Sequence, residues 1–101
     1  MKIIKTAECH AVLTDDDEVV LPGDLTEMAD IAVASPETVA ALMLALTEDV
    51  AAMLPVAKGI TVKSGETPVQ NTAIRRGIAA ALAIHGVVMA LESAHNREEQ
   101  A

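Results

Sequence analysis

The longest apolar stretch of the chain covers residues 77–91, where His85 is the only strongly polar side chain. Pro68 suits the first position of a helix. The pattern predicts one long helix over residues 68–96, followed by a frayed tail over residues 97–101. Because a helix that is apolar on all sides must be covered on all sides, we expect the rest of the chain, a second copy, or both to pack around it.

A second pattern, upstream of the first, is amphipathic. Ser35 suits a helix N-cap and Pro36 the first helical position, and the helix is expected to run to about Leu54. Pro55 then ends or kinks it. The apolar positions repeat every 3.6 residues and share one face. They are Val39, Leu42, Met43, Leu46, Val50 and Met53.

Shorter elements come first in the chain. Residues 2–13 are expected to form one strand, which an acidic turn joins to a second strand over residues 18–21. Asp24 is the expected N-cap of a helix over residues 25–34, with Glu27 in the capping-box position. A third strand is an option at residues 60–63, which are rich in β-branched side chains.

Together these elements predict an α+β fold, mainly α, with an N-terminal β-hairpin followed by a helical bundle that contains one long buried C-terminal helix. A chain of 101 residues is expected to form one domain. Its parts are a hairpin (1–22), a helical hairpin (24–58), the long helix (68–96) and the tail (97–101).

The long helix carries a heptad-like seam with small residues in its first half, which predicts self-association through a close helix–helix contact. A homo-oligomer is expected because a lone chain of this size would struggle to cover two apolar helices. The predicted oligomer interface is Ile74, Gly77, Ala81, Ile84, Val88 and Leu91.

The charge and the amino-acid composition of the chain make some classes of binding partner unfavourable. The formal net charge is -8 and the pI about 4.6, which opposes non-specific binding to nucleic acid or to anionic lipid. The chain has no Phe, Trp or Tyr although 51% of its residues are hydrophobic. The core must therefore be built from small aliphatic side chains and Met, and the usual base-stacking platforms are missing.

The location expected from the sequence is the cytoplasm. The apolar run over residues 77–91 would span about 22 Å as a helix, which is short of a hydrocarbon core of about 30 Å. It also contains His85. We therefore expect no membrane partner.

One stretch, LTEMADIAVASPETVAALM at residues 25–43, resembles the helix-turn-helix of bacterial DNA-binding proteins. Ala29 stands at the position where that motif has a small residue, and Val39 and Leu42 stand at its buried positions. The resemblance covers about a fifth of the chain and implies a DNA-binding regulator.

Two departures from the motif count against DNA binding. Val33 occupies the turn position where the motif prefers Gly. The second helix carries Glu37 and no Lys, Arg, Asn or Gln over residues 36–46. Reading a major groove requires hydrogen-bonding side chains, and holding phosphates requires cations.

No residue set predicts catalysis, a metal site or a cofactor. Cys9 and His10 are neighbours in the chain, and no CxxC or HxxxH spacing is present. The acidic run over residues 15–18 lacks the Gly and the distal Glu of a calcium loop, so a solvated turn is expected there. His85 is expected to be a core histidine, unless it faces a cavity or an oligomer axis. We do not expect an enzyme.

The only basic concentration comprises Lys63, Arg75 and Arg76. Ordinary ion pairing with acidic neighbours is the simpler explanation. The functional alternative is a site for an anion or a nucleotide phosphate, to which His85 could contribute.

Three functions follow as hypotheses. The first is a small non-enzymatic protein-binding protein acting as a homo-oligomer, in the manner of accessory or inhibitor proteins of phages and mobile elements. The second is an oligomeric binder of a small anionic or nucleotide ligand. The third is a divergent helix-turn-helix regulator.

Overall fold

The computed structural model describes residues 1–60 and 68–100 and contains a three-stranded antiparallel sheet followed by three helices. The predicted class, α+β and mainly α, is confirmed. The elements in chain order are β1 (Lys2–Lys5), β2 (His10–Leu13), β3 (Val19–Val20), α1 (Leu25–Ala34), α2 (Pro36–Ile60) and α3 (Pro68–Gln100).

The single strand predicted over residues 2–13 is wrong, because this segment folds back on itself. Strands β1 and β2 pair antiparallel, with Lys2 opposite Leu13, and β3 pairs on the other side of β2. The reversal is fixed by Thr6, whose backbone N–H and hydroxyl both donate to the carbonyl of Cys9. Local side-chain bonds of this kind compete with a continuous strand.

The predicted cap of α1 is confirmed in part. Asp24 accepts a hydrogen bond from the backbone N–H of Glu27 at 3.3 Å. Instead of completing the capping box with Glu27, the N–H of Asp24 donates to the carbonyl of Leu21. The preceding acidic turn is confirmed and contains Asp17 at a φ of 61°.

Helix α2 is longer than predicted. It continues past Pro55 to Ile60, so Ile60 is helical and not part of a strand, while residues 61–63 lie outside the described residues. The predicted apolar face is confirmed: Val39, Leu42 and Leu46 are fully buried in the core.

Helix α3 begins at Pro68, as predicted, and continues to Gln100, so residues 97–100 are helical instead of frayed. Within a single chain only one face is covered, so coverage of the other face by a second copy stays a prediction. The covered face packs mainly on α2 and α1. Its buried positions are Gly77, Ala80, Ala83, Val87, Ala90 and Ala94.

Two glycines inside α3 are required by close approaches. A Cβ atom at Gly77 would lie 2.3 Å from the Cβ of Met53 on α2. A Cβ at Gly86 would lie 2.9 Å from the carbonyl oxygen of Pro22. The first contact lets α2 and α3 pack closely, and the second brings the loop after β3 against α3.

Replacing Gly77 with Ala should therefore lower the free energy of unfolding by about 1–3 kcal/mol, because overpacking outweighs the gain in helix propensity of about 1 kcal/mol. Chemical denaturation followed by circular dichroism measures the change. Gly23→Ala is the control, because no atom lies within 4 Å of the added Cβ. A stabilised Gly77→Ala variant would contradict the packing.

Candidate functional site

The main candidate site is the face of α3 turned away from the core. We call Ile78, Leu82, His85 and Met89 the outer stripe; their spacing of 4, 3 and 4 residues aligns them along one side of the helix. Leu82 is 71% exposed, Ile78 52% and Met89 43%. Val88, beside the stripe, is 41% exposed. Three large apolar side chains thus meet solvent along more than two helical turns.

The sequence-predicted oligomer interface lies only partly on this exposed face. Gly77 is buried against Met53 of the same chain, and Ile84 packs against the core. Ala81, Val88 and Leu91 are exposed. The seam expected to face a second copy is therefore divided between the core and the surface, and as an interface it stays a prediction.

His85 is exposed within the outer stripe, so the expectation of a core histidine is wrong. The buried face of α3 is occupied by alanine and valine instead. His85 lies between Leu82 and Met89 and is the only polar member of the stripe. It is not on the cavity that holds the two arginines.

A groove adjoins the outer stripe. It lies between α3 and the loop after β3 and has a volume of about 300 Å³. Ala79 and Ala83 form part of its α3 side, and Cys9 is only 6% exposed there. We call it the Pro22 groove; its lining residues are Glu8, Cys9, Leu21, Pro22, Gly23, Ala79, Leu82 and Ala83.

A second cavity, of about 340 Å³, brings together two of the predicted ligand residues, Arg75 and Arg76. Lys63, the third, lies outside the described residues. The carboxylate-bearing Glu8 lines the same cavity. Within the described part of the chain, the side chain of Arg75 makes no ion pair or hydrogen bond.

Arg76 is held by the protein itself. Its Nη1 donates to the carbonyl of Thr6 at 2.5 Å, and its Nη2 lies 3.6 Å from Oδ2 of Asp49. The same Asp49 oxygen lies 2.7 Å from Nδ1 of His10. The side chains of His10, Asp49 and Arg76 are 21%, 11% and 15% exposed. This cluster ties the β1–β2 turn to α2 and α3.

Sequence reasoning missed this cluster because its members are far apart in the chain and belong to no spacing motif. The sequence predicts ion pairing of the arginines with Glu66 or with the acidic turn. Arg76 does form an ion pair, but its partner is Asp49, and Glu66 lies outside the described residues. The acidic turn pairs instead with the N-terminal ammonium group, through Asp15.

Cys9 lies beside the cluster. Burial raises the pKa of its thiol, the carboxylates of Asp49 and Glu8 raise that pKa further, and Arg76 lowers it. A thiol held in its neutral form is a poor nucleophile and a poor metal ligand. Within residues 1–60 and 68–100, no group of three His, Cys, Asp or Glu side chains is placed to hold a metal ion.

The stretch resembling a helix-turn-helix has the predicted burial, with Ala29, Val39 and Leu42 in the core. Its two helices are joined by Ser35 alone. A helix-turn-helix uses a turn of three to four residues to set its helices at a wide angle. The exposed positions near the start of α2 include Glu37 and Leu44, and residues 36–46 contain no Lys or Arg, so this part of α2 offers DNA no cationic side chain.

Two of the described helices contain segments long and apolar enough to cross a membrane by length and composition, Pro36–Pro55 and Thr72–Arg97. Core helices of soluble proteins meet the same criterion. Here the two helices pack against each other. The predicted cytoplasmic location stays a prediction.

Comparison with known proteins finds no family model, no curated protein and no solved structure that matches this chain. The geometry of its own residues therefore has to carry any functional argument.

The cluster of His10, Asp49 and Arg76 predicts that replacing two different aspartates lowers the stability of the chain by different amounts. Asp49→Ala should lower the free energy of unfolding by about 2–4 kcal/mol, because it leaves the largely buried guanidinium of Arg76 without its carboxylate. Asp30→Ala is the control: its pair with Arg97 is exposed and should contribute less than about 1 kcal/mol. Denaturant unfolding measures both, and equal losses would contradict a buried cluster.

The raised pKa of the Cys9 thiol predicts that the stability of the folded chain decreases at alkaline pH. Because the folded-state pKa of Cys9 is raised above the ordinary value of 9.0, its contribution to stability is complete below that pH and decreases as the pH rises above it. Unfolding measured across this range should show a steeper alkaline loss for the native chain than for Cys9→Ala. Identical slopes would show that the thiol is not desolvated.

Proposed function

We propose that this chain is a small non-enzymatic protein-binding protein that acts as a homo-oligomer in the cytoplasm, in an accessory or inhibitory role. The observation that carries the proposal is the uncovered outer stripe of α3. Soluble monomers rarely expose contiguous apolar patches of large side chains unless the patch is an interaction site.

The accessible surface area of the chain supports the proposal that another molecule covers part of it. Its accessible surface is 6374 Å², whereas a monomer of 10.5 kDa is expected to expose about 5,400 Å². The excess is therefore about 900 Å². A stable dimer of standard size buries about 800 Å² on each partner. One such contact would bring the exposed surface to the value expected for a chain of this mass.

The shape supports the same conclusion. The radius of gyration is 15.4 Å, whereas a compact domain of 101 residues is expected near 12.7 Å. The principal extents are 55 × 27 × 17 Å. The chain is therefore longer and less compact than a single domain of its length, as expected for a subunit that gains part of its packing from another copy.

The distribution of charge favours a second copy of the same chain as the partner at the outer stripe. The whole chain carries a net charge of -8, yet residues 77–91 contain no Asp, Glu, Lys or Arg. Two copies can therefore meet along the stripe without burying a formal charge. Their remaining repulsion acts through solvent and is screened at physiological salt.

A second candidate is the binding of a small anionic ligand. The observation that favours it is the shared cavity of Arg75 and Arg76. It ranks second because Arg76 is already paired with Asp49, and Glu8 lines the same cavity. The positive charges of the two arginines are therefore nearly balanced by the two carboxylates, which leaves little net attraction for an anion.

The experiment is sedimentation velocity over a hundredfold range of concentration at physiological salt, recorded with interference optics because the chain has no Trp or Tyr. The native chain should sediment as a dimer or larger species. Ile78→Glu combined with Met89→Glu should sediment as a folded monomer, because dimerisation would bury four carboxylates at one interface.

Leu44→Glu is the matched control, because Leu44 is 64% exposed but lies on α2. It should leave the native association unchanged. A native chain that stays monomeric at every concentration would contradict the proposal, as would equal dissociation by the α2 and α3 variants.

A further inference from the structure

We infer that the molecule covering α3 is a second copy of this chain, and that each copy places its Leu82 in the Pro22 groove of the other about a two-fold axis. This inference rests on the proposed self-association and specifies its geometry. The outer stripe of one copy then packs against the Pro22 groove of the other, and Leu82 is the side chain that enters the groove.

The projecting side chain is Leu82. At 71% exposure it is the most exposed large apolar residue in the described part of the chain. It follows a buried alanine at position 80 and precedes another at position 83, so the helix backbone is held firmly against the core on either side. A fixed, solvent-exposed leucine gains more from burial than one on a mobile segment, because less conformational entropy is lost.

The receptor is the Pro22 groove. Its volume of about 300 Å³ is about ten times the roughly 30 Å³ that one water molecule occupies, so a leucine side chain fits. Leu21, which lines it, is itself 47% exposed and would gain an apolar partner. Glu8 also lines the groove but is exposed, so its carboxylate can remain in water at the edge.

The position of Leu82 relative to the groove satisfies the condition for a closed dimer. Leu82 is itself one of the groove's lining residues, so the projecting group and its receptor are adjacent on one face. A two-fold rotation about an axis beside Leu82 brings each projecting group to the other copy's groove. An isologous interface requires this self-complementarity, and it closes without leaving an open end.

The surface relief of α3 indicates how the helices cross. Ile78 and Leu82 form a raised i, i+4 row, and Ala79 and Ala83 form a low row beside it. When i, i+4 ridges of two helices pack into each other's grooves, the helices cross at about -50°. The alanines allow the axes to approach toward the short end of the usual separation of about 8–10 Å.

Cross-linking tests the two-fold axis. Leu82→Cys in a Cys9→Ala background leaves one thiol per chain and removes the thiol that lines the groove. At a chain concentration well above the dissociation constant expected after truncation of Leu82, a short bismaleimide should convert this variant efficiently into a covalent dimer, because the two copies of position 82 flank the axis. Leu44→Cys in the same background is the matched control and should cross-link only at the rate of random collision.

Truncation tests the energetics. Leu82→Ala should raise the dimer dissociation constant about 100-fold, since two leucine side chains per dimer lose their burial. Leu44→Ala should leave it unchanged. Circular dichroism should show the native fold for both variants, because each replaced side chain is largely exposed in the monomer.

The outcomes separate this inference from the proposal on which it rests. A native chain that does not associate overturns both. Two results would overturn the assignment of Leu82 while leaving self-association standing. In the first, the native chain associates but position 82 does not cross-link. In the second, Leu82→Ala associates as tightly as the native chain. Selective cross-linking at position 82 together with weakened association of Leu82→Ala supports the assignment.

Discussion

The contact between α2 and α3 is the constraint on which the rest of the structure depends. The chain has no aromatic side chain, so its core gains little area from any one residue. Alanine and glycine on α3 compensate by letting the helix backbones approach closely, as Gly77 does against Met53. Dispersion contacts between closely spaced backbones then replace those that large side chains would supply. Apart from Val87, the buried positions of α3 are alanine or glycine, and the large side chains of Ile78, Leu82 and Met89 lie on the exposed face.

Much of the helical architecture could be predicted because its signals are local. Ser35, Pro36 and Asp24 mark helix starts through caps and fixed dihedral angles, and the 3.6-residue period of α2 identifies its core face. The reversal at Thr6 was missed because alternation of apolar and polar residues cannot distinguish one long strand from two short ones. Over residues 77–91 of α3, every position except His85 is apolar or Gly, so periodicity could not show which face the core would take. The small size of Gly77, Ala80 and Ala83 favours their face.

The polar cluster was beyond sequence reasoning for a different reason. His10, Asp49 and Arg76 come from three elements and meet only when those elements pack. The cluster uses one of the two arginines that made a basic patch conspicuous in the sequence. It therefore accounts structurally for one of the three basic residues that pointed to an anionic ligand, and it weakens that function relative to self-association.

The most direct test of the account is a nuclear Overhauser experiment on a mixed sample, in which half of the chains are isotope-labelled and half are not. Filtering for contacts between the two kinds of chain reports only intermolecular proximity. The account predicts contacts between the methyl groups of Leu82 in one copy and those of Ala79 and Ala83 in the other. Intermolecular contacts confined to α2, or a chain that stays monomeric at the concentration of the experiment, would contradict it.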